Sequence, residues 1–350
     1  MFLPYSIVNP LTNVRIQRTL PRPGEVLVRS GDAVEPSHLV AQAVQPADFR
    51  IVDVARILDT SIKKARSGLK VKRGQQVEEG DILAVRGGLS GRVCRAPIAG
   101  TVVGSGRGRL LIEAESQSVQ VRALVPGVVG DVFAGEGVAI ETVGAWVQAS
   151  WGNGRIAFGE MRIVVRSPRH PLRPSHINAS VQGAILIGGS GLTEDVLEDA
   201  EEMQVRGMIV GSVQASLIPR LNEMNFPIVA TEGVGDISMS QAVFELLQSL
   251  NGREAAVCGE IGSRWNRKRP YIVVPMPTQA GRAINPNAEL TVGDRVRVLR
   301  GRYRGRSGTV ARMLTRPVAL ENGARLPGVT VDFGEDEYVD IPYLALERLL

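Results

Sequence analysis

The sequence predicts a multidomain α/β plus β protein, β-rich at both ends with a small parallel α/β domain between them. Three observations carry that expectation. Glycine (39) and proline (20) are abundant in the 350 residues while aromatics make up only 4%, a mixture that favours short strands and tight turns over long helices. A pattern near the N-terminus recurs at a fixed offset, as repeated strand–turn units do. Between about residues 183 and 257, apolar runs of strand length alternate with helical ones, the pattern of a parallel sheet with crossover helices. The length suits two or three domains, which we place at 1–166, 177–260 and 286–350.

The recurring pattern is Val28-Arg-Ser-Gly31-Asp-Ala-Val34-Glu35, closing on Leu39-Val40-Ala41. It returns 43 residues later as Val71-Lys-Arg-Gly74-Gln-Gln-Val77-Glu78, closing on Ile82-Leu83-Ala84. Each copy reads as a strand, a glycine-centred turn and a second short strand, because glycine reaches positive φ without a Cβ clash. Between the copies, Ile51, Val54, Ile57 and Leu58 have helical spacing and predict an amphipathic helix over residues 49–62.

The second copy runs on through Gly80-Asp81-Ile-Leu83 to Arg95-Ala-Pro97-Ile-Ala-Gly100-Thr-Val102. Over residues 69–113 it resembles the barrel-sandwich hybrid fold of biotinyl and lipoyl carrier domains, also present in electron-transport subunits of the RnfC kind. That resemblance implies a modifiable lysine on a hairpin tip, but the stretch from Arg86 to Cys94 contains none. Arginine forms no such amide, so no carried cofactor is expected and a structural or docking β-module remains. Glycine turns and apolar strands continue through residues 124–142, and Trp151-Gly-Asn-Gly predicts a hairpin turn. Trp146 and Trp151 suit core packing better than ligand stacking.

Prolines at 168, 171 and 174 predict a linker, and the period then changes. Strands are expected near residues 183–187, 208–211 and 226–230, with helices near 193–205 (Thr193 as N-cap), 215–224 and 241–250. Two turns at strand carboxyl ends lie where open α/β sheets bind ligands. The first, with Gly189, Ser190 and Gly191, offers backbone N–H groups to a phosphate. It lacks GxGxxG and P-loop spacing, and Glu194 and Asp195 would repel an anion. The second holds Glu232 and Asp236, able to serve as an acid–base pair or to bind a cation, although no third ligand stands at motif spacing. We therefore expect at most a ligand pocket here, with no catalytic residue and no metal site. His38, His170 and His176 are scattered, and Cys94 and Cys258 have no CxxC partner.

Charge is segregated. Residues 262–316 carry 13 Lys/Arg against two acids, and residues 317–350 carry seven acids against two arginines, although the whole chain is only +5. Within the basic stretch, Leu290-Thr-Val-Gly293-Asp-Arg-Val-Arg-Val-Leu-Arg-Gly301-Arg-Tyr-Arg-Gly305-Arg-Ser-Gly308-Thr-Val alternates valine and arginine as a half-buried strand does, then turns on glycines. This resembles the KOW motif of NusG-type transcription elongation factors and several ribosomal proteins. The resemblance implies a C-terminal SH3-like barrel over residues 290–350 whose first loop contacts RNA or protein. The loop holds Arg300, Arg302, Tyr303, Arg304 and Arg306. Upstream, Arg264, Trp265, Arg267, Lys268 and Arg269 extend the basic surface.

No apolar run reaches membrane-spanning length and no signal peptide is apparent. We expect a cytoplasmic, non-enzymatic adaptor that binds RNA or a ribonucleoprotein through its basic surface. The alternatives are a protein-docking scaffold, or an enzyme with its site at the edge of the α/β sheet. The sequence leaves the oligomeric state open.

Overall fold

The computed structural model describes residues 5–44, 48–87, 91–114, 118–262, 268–276, 289–320 and 323–350. These residues form a predominantly β, multidomain protein with short helices.

The two sequence copies adopt the same local structure. Gly31 and Gly74 have φ of +92° and +84°, and their N–H groups donate at 2.7 Å to Val129 O and Val102 O respectively. Asp32 accepts from Arg29 N in the first turn, as Gln75 accepts from Lys72 N in the second. Val34 and Val77 are buried beside Gly127 and Gly100. A Cβ on either glycine would overlap the carbonyl oxygen of Glu141 or Glu113. One unit is inserted in the other. Leu39–Val44 and Ser118–Arg122 pair antiparallel at the neck. Between them lies a separate core of Val52, Leu58, Leu83, Val102 and Ile112, while Val14, Ile16, Val40, Val129 and Ile140 form the core of the enclosing unit.

The helix expected over residues 49–62 is corrected. Phe49–Asp53 is a strand paired with Arg109–Ala114, and helices occupy only Val54–Ile57 and Ile62–Ser67. Asp53 caps the first of these by accepting from Arg56 N, so the carboxylate marks the strand-to-helix boundary.

An 11-stranded sheet runs through the division expected near residues 166–177. The long strands Val8–Thr19 and Gly137–Gln148 pair antiparallel, and Tyr271–Pro275 and Glu254–Cys258 continue the sheet to Ile156–Ile163. From there the pairing is parallel through Ile185–Ile187, Gly207–Val213 and Ile228–Val234. Helices Glu194–Glu202 and Gln241–Ser249 bury Val196, Leu197, Phe244 and Leu247 in its core. Thr193 precedes the first helix but its hydroxyl makes no cap bond.

Two local expectations differ. Trp151-Gly152 forms no hairpin. It pairs with Val229 and Ala230, and Asn153 fastens that edge by accepting from Ile228 N and donating to Leu221 O and Phe226 O. The proline-rich stretch is no free linker either. Leu172 is fully buried and its N–H donates to Gly191 O, so apolar burial outweighs the bias of the prolines toward open chain.

The C-terminal module is a six-stranded sheet built on Arg295–Val298, Ser307–Met313, Gly328–Asp332, Tyr338–Pro342 and Leu346–Leu349. Its sixth strand is Tyr5–Ser6, parallel to Leu346–Leu349, so the two ends of the described chain share one module. Val296, Val298, Val310, Val329, Val331 and Leu346 are its core.

Candidate polyanion interface

Arg295–Val298 leads into the arginine loop, which Gly301 and Gly305 turn with φ of +86° and +84°. Arg304 N donates to Gly301 O and Arg306 N to Tyr303 O within the loop, and Gly305 N donates to Val298 O and Val298 N to Arg306 O, which fixes the loop against its strand.

Simple alternation would send every arginine of the strand outward. Arg297 keeps the alternation, on the face opposite the core residues Val296 and Val298, but that face is covered by other segments and it is only 3% exposed. Its Nη1 meets Glu232 Oε2 at 2.8 Å, its Nε donates to Glu347 Oε2 at 3.1 Å, and its Nη2 also contacts Glu347. Ser6 donates its hydroxyl to Glu347 Oε1 at 2.5 Å, and Arg269 reaches the same oxygen at 3.4 Å. Four segments distant in sequence thus meet on one buried charge cluster: the N-terminal strand, the α/β sheet edge, Arg269 and the C-terminal module. Burial works to raise the Glu347 carboxyl, yet the Arg297 charge, the Ser6 hydroxyl and Arg269 hold it below the usual glutamate range. Burial pushes Glu232 up, and the Arg297 charge offsets this only in part. Desolvation works to lower Arg297, but its two carboxylates win and keep it firmly protonated.

This geometry places the candidate pocket residues. Glu232 is committed to Arg297 and makes no acid–base pair with Asp236, which is exposed. Gly189, Ser190 and Gly191 form no phosphate cradle. Gly189 N and Ser190 N both donate to His170 O, at 3.0 and 3.1 Å, so the donors a phosphate would need are already taken. A Cβ on Gly189 would overlap the Ser167 and His170 carbonyl oxygens, which is why glycine stands there. Only the fold brings His170 to this turn, and no spacing signal announced it.

Among the predicted binding residues, Arg306 is paired with Glu337 through two bonds of 3.0 and 2.6 Å and lies 4.4 Å from the Phe333 ring centroid. Tyr303 stacks on Phe333 with centroids 5.5 Å apart, so one face of its ring is covered. Arg269 is tied to Glu347 and Tyr5 O. Lys268 is half-buried beside it, and Arg264, Trp265 and Arg267 lie outside the described residues. Arg300, Arg302 and Arg304 are exposed, and none makes an ion pair with a carboxylate among the described residues. Glu337 therefore ion-pairs Arg306 directly and acts on Arg302 only at longer range, while Arg300, Arg302 and Arg304 keep no ion-pair partner among the described residues.

No helix among the described residues is long and apolar enough to cross a membrane. Among the same residues no group of three His, Cys, Asp or Glu side chains is placed to hold a metal ion. No protein-family model matches the chain, and no curated protein sequence is significantly similar to it.

Proposed function

We propose that the protein is a non-enzymatic, multidomain adaptor that captures RNA, or an RNA-containing assembly, on the outer face of its C-terminal module. In this reading the six-stranded module acts as a KOW-type SH3-like barrel, and the nested N-terminal units act as barrel-sandwich hybrids that set spacing or dock partners. One observation carries it: Arg300, Arg302 and Arg304 project from a single glycine-turned loop without a described carboxylate partner. Three guanidinium groups on one loop can pair with successive phosphates, and desolvating them requires no existing ion pair to break. Both cysteines are free and buried, which fits the cytoplasm.

Co-purification tests this directly. The full chain isolated at low salt should carry nucleic acid, seen as a raised 260/280 nm absorbance ratio that ribonuclease abolishes, and the R300A/R302A/R304A variant should carry little. An unchanged ratio in the variant removes the assignment.

A second reading rests on a separate feature. A cleft of about 620 Å³ beside the loop is lined by Val298, Val318, Leu326, Ile341 and Leu344, with Arg300 and Arg302 at its rim. Leu344 is 65% exposed there, as the anchor for an acidic, apolar peptide would be. Binding that survives nuclease and depends on Leu344 favours this protein-docking alternative.

A further inference from the structure

A second cleft, of about 550 Å³, opens where the arginine loop meets the carboxyl edge of the parallel sheet. Pro168 and Arg169 form one wall, residues 236–241 the floor, and residues 304–307 with Phe333 the other wall. The wall and floor touch closely, since a Cβ on Gly305 would lie 3.0 Å from Ile237 Cγ2.

Three features of this cleft suit an oxyanion. Arg169 and Arg304 are exposed there and pair with no described carboxylate. Arg306 is held flat by Phe333 and Glu337, and the two bonds to Glu337 leave further N–H donors on its guanidinium. Helix Gln241–Ser249 begins at the floor, and Ser240 stands at its N-cap without capping it. Finally, the hydroxyls of Ser240 and Ser307 are buried and have no hydrogen-bond partner. Ser240 is only 3% exposed, its backbone N–H donates to Glu232 Oε1 at 3.0 Å, and its hydroxyl lies close enough to that carboxylate to help hold it down but makes no hydrogen bond to it. Buried hydroxyls left unpaired cost free energy, and two on one cleft point to a missing acceptor. Asp236 is the lone unpaired carboxylate of the lining. It opposes a second phosphate and can accept from a hydroxyl.

We propose that this cleft binds a small phosphate monoester with a hydroxylated body. Arg169, Arg304 and Arg306 would bind the phosphate, the Ser240 and Ser307 hydroxyls and the helix start would donate to its oxygens, and Asp236 would take a hydroxyl. The site needs the C-terminal module and the α/β sheet edge together; it shares Arg304 with the RNA reading, whereas Arg300 and Arg302 do not line it.

Titration calorimetry on the full chain in chloride buffer tests it, with inorganic phosphate and ribose 5-phosphate as probes. Both should bind, the sugar phosphate more tightly. R169A should weaken binding about tenfold, as loss of a charge-assisted bond does, and S240A should weaken it several-fold without lowering thermal stability. R300A/R302A should leave it unchanged, which keeps the result independent of RNA binding. No phosphate binding at millimolar concentration, or equal binding by wild type, R169A and S240A, would overturn the site. Ribose 5-phosphate no tighter than phosphate would overturn the hydroxylated body.

Discussion

Arg297 and the trio Arg300, Arg302 and Arg304 come from the same few residues of sequence and do opposite things. Arg297 is buried between Glu232 and Glu347, where it joins the C-terminal module to the α/β sheet edge. The trio stands in solvent without a described acidic partner. A count of positive charge treats the four alike, whereas the fold makes one of them structural and leaves three for a partner. Removing a member of the first group strands buried charge, while removing members of the second strands nothing.

The largest effect that contrast predicts is on stability. R297A leaves two buried carboxylates facing each other and should cost about 3–5 kcal/mol, read from denaturant unfolding. Recovery in R297K would be incomplete, because an ammonium cannot reproduce the forked contacts to both glutamates. An R297A protein as stable as wild type would abolish the distinction.

Next, G189A should cost about 1–3 kcal/mol by driving a methyl group into the Ser167 and His170 carbonyls.

The acid response is third. Glu347 is held below its unfolded value, so it stabilises the fold above that value, and this contribution is lost as pH falls through the folded pKa. Glu232 is pushed up and acts in the opposite sense. Its contribution is present below the unfolded pKa and is lost as pH rises through the folded one. Thermal unfolding should therefore show a shallower acid loss in E347Q than in wild type below the ordinary glutamate range, whereas E232Q should differ from wild type above that range, where it removes a loss of stability that accompanies rising pH.

The smallest stability effect belongs to the exposed pair. R306A should change the unfolding midpoint far less than R297A, because Arg306 and Glu337 are both solvent-exposed and screened.

Much of the scaffold was legible from local rules. The 43-residue echo marked two turns whose glycines do take positive φ, and the strand–helix alternation after residue 183 corresponds to a parallel run of strands. What local rules could not show was long-range pairing. Residues 49–53 have helical spacing, but a partner strand at 109–114 claims them. The insertion of one β-unit in the other, and the pairing of Tyr5–Ser6 with the far end of the chain, depend on partners more than 70 positions apart in sequence. The site was legible as a residue class and not as a geometry. The loop arginines were evident, but which of them Glu337 would occupy, and that Arg297 would be buried against Glu232, follow only from the tertiary fold.

The most direct test of the central claim is the salt dependence of single-stranded RNA affinity for wild type, R300A/R302A/R304A and R306A, measured by fluorescence anisotropy. If the three free arginines hold phosphates, the triple variant should bind more weakly and its log–log salt slope should fall by about two, at roughly 0.7 for each phosphate no longer neutralised, while R306A stays close to wild type. Identical slopes for wild type and the triple variant, or a weakening in R306A as large as in the triple variant, would contradict it.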